Sequence, residues 1–412
     1  MAGEDRVIGV VAACPFPIRQ GSQVLIHHLS SALSRRGFPV HIVTYAIGDY
    51  PSEPGYSLHR TAAFIPYRKR DPGPSIVKPL IDFLLLVKTI STGKREKFDI
   101  LHGHNYEGAL VGWVAARWLG IPLIYFRHSR LSDEFPFYFK GRLLGWLARR
   151  IGSLIDRIAD SLPDHIITVS PEEPRDRLKW SRSPHKTTFV PPGIDPEEWR
   201  EPIPERPEED KRPTLIYTGN LAPFQHIAHL LEVIRIVRTE FPMVRLRVVT
   251  PSDPKRLRER ASAMGLEGHL SIHAERDFPA TVRLLRLADL ACSFRTMASG
   301  FPIKHLNYMA AGLPIVCYRS GAKGVVDGET GIVVNDGDIP AFGQAVAGLL
   351  RDDSLRREMG RRAREAVFRD YRWDNLVVSI EEIHDRLLPD SSRRGSAAPV
   401  ESKALTRDPP QP

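Results

Sequence analysis

Short apolar runs alternate with longer stretches whose apolar positions recur every three or four residues, and the alternation passes through the chain twice. In the first pass the runs 6–12 (RVIGVVA), 39–44, 98–101, 121–126 and 164–169 read as strands. Strands covered on both faces lose the polar–apolar alternation and become near-continuous apolar runs. Helical periodicity fills 24–36, 78–90, 105–119 and 137–161, and Ser170 is placed to cap a further helix. The second pass supplies strands at 215–218, 245–250, 269–272, 289–293 and 314–317. Its helices fall near 227–238, 254–264, 280–287, 302–311, 341–350 and 353–368, with a last one at 372–388. Strand–helix alternation of this kind predicts an α/β chain with two doubly wound, Rossmann-like domains. The boundaries predicted are 1–190, a Pro-rich linker 191–213, 214–371, the last helix 372–388, and an aperiodic tail 389–412 expected to be disordered.

The stretch 137–161 carries two faces. Leu143, Leu147, Ile151, Leu154 and Ile158 share one, and Arg142, Arg149, Arg150 and Arg157 share the other with Trp146 among them. The commoner outcome is an apolar stripe packed in the core with a solvated basic side. The alternative is a basic amphipathic helix lying on an anionic membrane surface.

Composition narrows the field. With 412 residues, 42% hydrophobic and 26% charged, the chain is ordinary globular protein of two domains. A formal charge of +9 favours anionic partners, such as nucleotides or phospholipid surfaces. The basic residues are not interleaved with stacking aromatics, which argues against nucleic acid. Cys14, Cys292 and Cys317 fall in or beside apolar runs without metal-ligand spacing, as expected of thiols in a reducing compartment. Neither a long apolar run nor a signal-peptide pattern in 1–20 is present, so the expected location is the cytoplasm or the inner membrane face.

Open parallel sheets place ligands at the carboxyl ends of their strands. His102 and His104 fall at one such end and His128 at the next, while Gly21 lies in the turn after the first strand. In the second domain Arg295–Val316 reads as loop, helix, tight turn and strand. Pro302 fits the first helical turn and Gly312 ends the helix. Lys304 and Asn307 share one face of that helix, and a first turn with a lysine beside it suits a phosphate.

The segment SGFPIKHLNYMAAGLPIV (299–316) resembles the signature E-G-F-x5-E-x-M-A-x-G-x-P-V-V of retaining glycosyltransferases of family 4, the glycogen-synthase-like group. DILHGH followed by a strand ending in His128-Ser129, and VPPGID at the linker, are similar to that family's motifs in the same order. The resemblance implies a GT-B fold, with two domains facing across a cleft and the last helix crossing back to the first. It implies transfer of a sugar from a nucleotide-diphosphate donor to a glycan or lipid-linked acceptor, with retention and with no metal or other cofactor. It implies a sugar-side role for His128 and, more distantly, for His102 and His104, and donor contacts for Gly21, Gly219, Asn220, Gln225, Ser299, Gly300, Phe301 and Asn307.

The chain departs from the pattern where charge is needed. Asn220 and Gln225 stand where the family has Arg and Lys, and Ser299 and Asn307 replace both carboxylates. Lys304, His226, Arg295 and Lys323 are the candidates for the missing positive charge, and Lys304, paired with His128, is assigned the catalytic role. Asp336-Gly337-Asp338 reads as a turn and N-cap rather than a metal motif. The departures keep open a catalytically impaired, glycan- or partner-binding homologue. An epimerase on the same fold is a third reading.

Overall fold

The computed structural model describes residues 6–18, 21–48, 55–65, 73, 75–171, 186–200, 212–274 and 277–388. The helix expected after Ser170, residues 201–211 of the linker and the tail 389–412 lie outside these. The first domain is a seven-stranded sheet built from β1 (Ile8–Ala12), β2 (Val40–Thr44), β3 (Ser57–Arg60), β4 (Ile100–His104), β5 (Leu123–Arg127), β6 (His165–Thr168) and β7 (Thr187–Phe189). Its order is β3-β2-β1-β4-β5-β6-β7 and every pair is parallel. The second is a six-stranded sheet of β8 (Thr214–Thr218), β9 (Arg245–Thr250), β10 (Leu270–Ala274), β11 (Leu290–Ser293), β12 (Ile315–Tyr318) and β13 (Gly331–Val334). It runs β10-β9-β8-β11-β12-β13, again all parallel. These are two Rossmann-like domains in the GT-B arrangement. In each, strand order reverses beside the first strand, where a crevice opens at the carboxyl ends.

Burial explains which strands the sequence revealed. Each residue of β1, β4, β5 and β8 is buried, which is why those strands read as apolar runs. The edges β3 and β7 are short and half exposed and carry no such signal. Right-handed crossovers put helices Lys78–Glu96, Asn105–Leu119 and Arg142–Ser161 side by side on one face of the first sheet. Helix Gly21–Arg35 covers the other face, and the last helix, Trp373–Leu387, packs against it. Trp373 is buried, and Ile194 N–H donates to Tyr371 O at 2.7 Å while Trp373 N–H donates to Ile194 O at 3.2 Å. Arg36 pairs with Glu381 and Arg6 with Asp385 at its rim. The chain thus returns to the domain it started from.

One expectation is reversed. The predicted helix 137–161 breaks at Gly141, whose φ of +92° suits glycine, and the helix proper is Arg142–Ser161. Its apolar stripe is not in the core: Leu143 is 75% exposed, Leu154 59% and Leu147 46%. The face against the protein is made instead by Ala148, Gly152, Asp156 and Ala159. A Cβ on Gly152 would lie 2.8 Å from Ser132 Cα, so small residues let the helix sit close and turn its large ones outward. No helix among the described residues is long and apolar enough to cross a membrane.

Candidate active site

A cleft of about 820 Å³ lies between the domains and is lined by both. From the first domain it takes Gly21, at the start of helix Gly21–Arg35, and His128, just past β5. From the second it takes Gly219, Asn220, Gln225, Arg295, Phe301, Lys304 and Asn307. His128 and Lys304 therefore open onto one space.

The second-domain wall is built on the loop after β8. Gly219 turns it at φ +118°, Asn220 Oδ1 accepts from Ala222 N–H at 3.2 Å, and a short turn, Pro223–Gln225, buries Gln225. Lys304 reaches across from its helix to donate to Gln225 Oε1 at 2.7 Å, with its Nζ 4.2 Å from the Tyr217 ring centroid. Its amine is thus delivered to the end of the 225 side chain. Burial, and secondarily the Arg295 cation, hold its pKa well below the usual lysine value. Arg295 is itself buried, donates to Ser299 O at 2.7 Å and is pulled down to about 10 by burial. Of the other cation candidates, His226 bonds Thr296 Oγ1 at 2.8 Å, and Lys323 O bonds His305 Nδ1 at 3.0 Å.

The helix predicted from residue 302 begins at Lys304 and ends at Ala310. His305 N–H and Leu306 N–H are already donated to Pro302 O (2.8 Å) and Ile303 O (3.0 Å). The donor capacity at this tip therefore belongs mainly to the Lys304 amine rather than to free amides. Ser299 does not line the cleft: it is buried, and its Oγ accepts from Arg130 N–H at 3.2 Å, tying the domains together. Gly300, at φ +76°, packs under β5's end, where a Cβ would fall 2.6 Å from His128 O. Both donor assignments become interdomain contacts, because only a small residue fits where the two backbones meet.

The three strand-end histidines separate. His102 is two residues back from the end of β4, is fully buried, and bonds His384 of the last helix at 2.8 Å, away from the cleft. His104 is also buried and stands behind His128, with its Nδ1 2.8 Å from His128 Nε2. Burial pushes His128 down to about 3 and His104 well below the ordinary value, so both are neutral near pH 7. His104 Nε2 is enclosed without a partner. A buried N–H without an acceptor is the costlier defect, so the His104 proton belongs on Nδ1, donated to His128 Nε2. His128 then carries its own proton on Nδ1.

The first-domain wall of the cleft holds groups that the sequence did not single out. Glu134, its pKa raised by burial, accepts from Tyr138 O–H at 3.0 Å. Asp82, raised to about 6 by burial, is bonded by Tyr45 O–H, and Lys78 pairs with Glu107. Their one sequence signal is position: Lys78 and Asp82 are four apart on one helix, and Glu107 lies in the first turn of the helix after β4. Outside the cleft, Asp338 caps helix Ile339–Arg351 by accepting from Ala341 N–H at 3.0 Å, and Asp336 accepts from Ser320 N–H at 3.0 Å.

Residues 19–198 match the model of "Glycosyltransferase Family 4", and residues 212–352 match that of "Glycosyl transferases group 1". The chain belongs to glycosyltransferase family 4. The glycosyltransferase is 24% identical to an MMP alpha-(1->4)-mannosyltransferase of Mycolicibacterium hassiacum, over 89% of this chain and 95% of that one. Its fold matches sucrose-phosphate synthase of Thermosynechococcus elongatus with a TM-score of 0.80 at 17% identity, covering 93% of this chain and 99% of that one. It also matches Anabaena HepE, solved with UDP and glucose, with a TM-score of 0.73 at 16% identity, covering 93% and 100%.

Proposed function

We propose that this glycosyltransferase moves a sugar from a nucleotide-diphosphate donor to a glycan or lipid-linked acceptor, with retention at the anomeric carbon and without a metal ion. The reading rests on Lys304. Two expected cations are absent, and this amine, carried by another element, arrives at the Gln225 side chain. The chemical demand is to stabilise charge on the diphosphate as the bond from the anomeric carbon to the phosphate oxygen breaks. Lys304 supplies that charge, with Arg295 behind it. Gly219, Asn220, Gln225, Phe301 and Asn307 line the donor end, and the Asn307 amide serves the ribose hydroxyls in place of a carboxylate. His128 donates to a hydroxyl of the transferred sugar. The acceptor oxygen attacks from the face the diphosphate leaves, and its proton passes to a phosphate oxygen of the departing group. Cytoplasmic nucleotide sugars are the substrates and the inner membrane face the setting.

Thermal shift and turnover with a panel of nucleotide sugars in EDTA test the proposal. The expected result is stabilisation by one nucleoside diphosphate and its sugar, EDTA-insensitive transfer, and a product whose anomeric configuration, read by NMR, matches the donor. Loss of turnover in EDTA removes the metal-free step, and an inverted product removes retention. Silence towards every donor, with the fold intact, favours the impaired, ligand-binding homologue.

A further inference from the structure

We propose that the outer face of helix Arg142–Ser161 docks on an anionic lipid bilayer and brings the cleft to a membrane-held acceptor. At about 3.6 residues per turn the helix divides into three faces. One, of small residues and Asp156, is buried against the protein. The second carries Leu143, Leu147, Ile151, Leu154 and Ile158, all exposed. The third carries Arg142, Arg149, Arg150 and Arg157, also exposed, with Trp146 under the Arg150 guanidinium at 5.3 Å. Five large aliphatic side chains in water on one helix face are not explained by the fold, which they do not stabilise. An apolar stripe bordered by arginines and a tryptophan is complementary to acyl chains beneath anionic headgroups. A second copy of the chain is the poorer occupant, because a two-fold pairing of this face sets the arginines against their own copies.

The face is joined to the site. Asp156 accepts from Leu131 N–H and Ser132 N–H, both at 3.0 Å, clamping the helix to the segment that follows His128. Ile151 and Ile155 line the cleft as well. A lipid-linked acceptor lying along the stripe thus enters the cleft from the bilayer. The identity of that acceptor rests on the transferase reading; the docking does not.

The test is sedimentation of the full chain with phosphatidylcholine vesicles and with vesicles of equal phosphatidylcholine and phosphatidylglycerol. The mixed vesicles should bind at least about tenfold better, with binding falling steeply at high salt. Trp146 fluorescence should shift to the blue on binding, and the shift should vanish in Trp146→Phe. Leu147→Glu/Leu154→Glu should lose vesicle binding by about tenfold or more, and Arg149→Glu/Arg150→Glu should lose the preference for anionic lipid. Both should keep wild-type circular dichroism and the wild-type thermal shift with nucleoside diphosphate. If the wild type answers no nucleotide yet binds vesicles, the docking stands and the transferase reading fails. Equal binding to neutral vesicles, no binding, or leucine variants that bind like wild type overturn the docking. A wild-type dimer by light scattering that the leucine variants turn into monomer overturns it in favour of a second copy.

Discussion

Replacing Lys304 by methionine keeps the length of the side chain and removes its charge. In the free protein the change removes an amine that burial already disfavours as a cation, and it leaves Gln225 Oε1 without its donor at 2.7 Å. An orphaned buried acceptor costs about 1–3 kcal/mol, and relief of the amine's desolvation offsets part of that. The melting temperature of the free protein should therefore move by only a few degrees. Turnover should not be spared. A unit charge roughly 4 Å from a phosphate oxygen is worth about 4 kcal/mol at an effective dielectric of 20, before recharging the amine is subtracted. Loss of a preorganised donor at a developing anion costs about 10²–10³ in rate, and that is the fall expected in kcat/KM. Diphosphate binding should also restore the ammonium. Titration calorimetry of UDP or GDP at a series of pH values up to the ordinary lysine pKa of about 10.4, in buffers of different ionisation enthalpy, should show proton uptake by the wild type above its depressed native pKa and none by Lys304→Met. The same linkage sets a sign for stability. Between the depressed native pKa and the unfolded value of about 10.4 the unfolded chain binds more protons, so this group makes stability rise with pH. Lys304→Met should flatten that rise. A kcat/KM within about threefold of wild type, with unchanged nucleotide binding and proton uptake, would refute the reasoning.

Three further outcomes follow from the geometry. His104→Phe removes the acceptor–donor pair that fixes the His128 tautomer; kcat should fall about tenfold while nucleotide affinity, measured by calorimetry, holds. Gly300→Ala forces a Cβ to within 2.6 Å of His128 O at a positive φ; it should destabilise by roughly 1–3 kcal/mol in urea melts and lower activity by displacing His128. His102, His104, His128 and His384 are held neutral by burial, with His128 at about 3 and His384 at about 4. Below the unfolded value of about 6.5 the unfolded chain takes up protons that the native one refuses. Stability, followed by thermal melts, should therefore be lost as pH falls from 7 towards 4.

What the sequence disclosed depended on how completely each element is covered. The central strands are buried along their length and announced themselves, whereas β3, β7 and β13 at or near the sheet edges did not. Periodicity located the stripe of helix Arg142–Ser161 but says nothing of which side a neighbour covers. Ala148 and Gly152, outside either predicted face, are the contact, and the leucines are the outside. Motif order placed His128 and Lys304 on one cleft, yet motif position could not tell a strand end from a point two residues earlier, so His102 was assigned to the ligand and belongs to the last helix. Ser299 and Gly300 likewise read as donor contacts because the motif covers them, while the close approach of two backbones claims them first. Glu134, Asp82 and Glu107 reach the cleft through tertiary placement, which no local pattern encodes.

The measurement that bears most directly on the account is a crystal structure of the chain with UDP or GDP. The diphosphate should lie between the domains, within hydrogen-bond reach of Lys304 Nζ and Gln225, and on the cleft side of His128. A nucleotide bound elsewhere, or a diphosphate in the cleft that leaves Lys304 on Gln225 and untouched by phosphate, would contradict it.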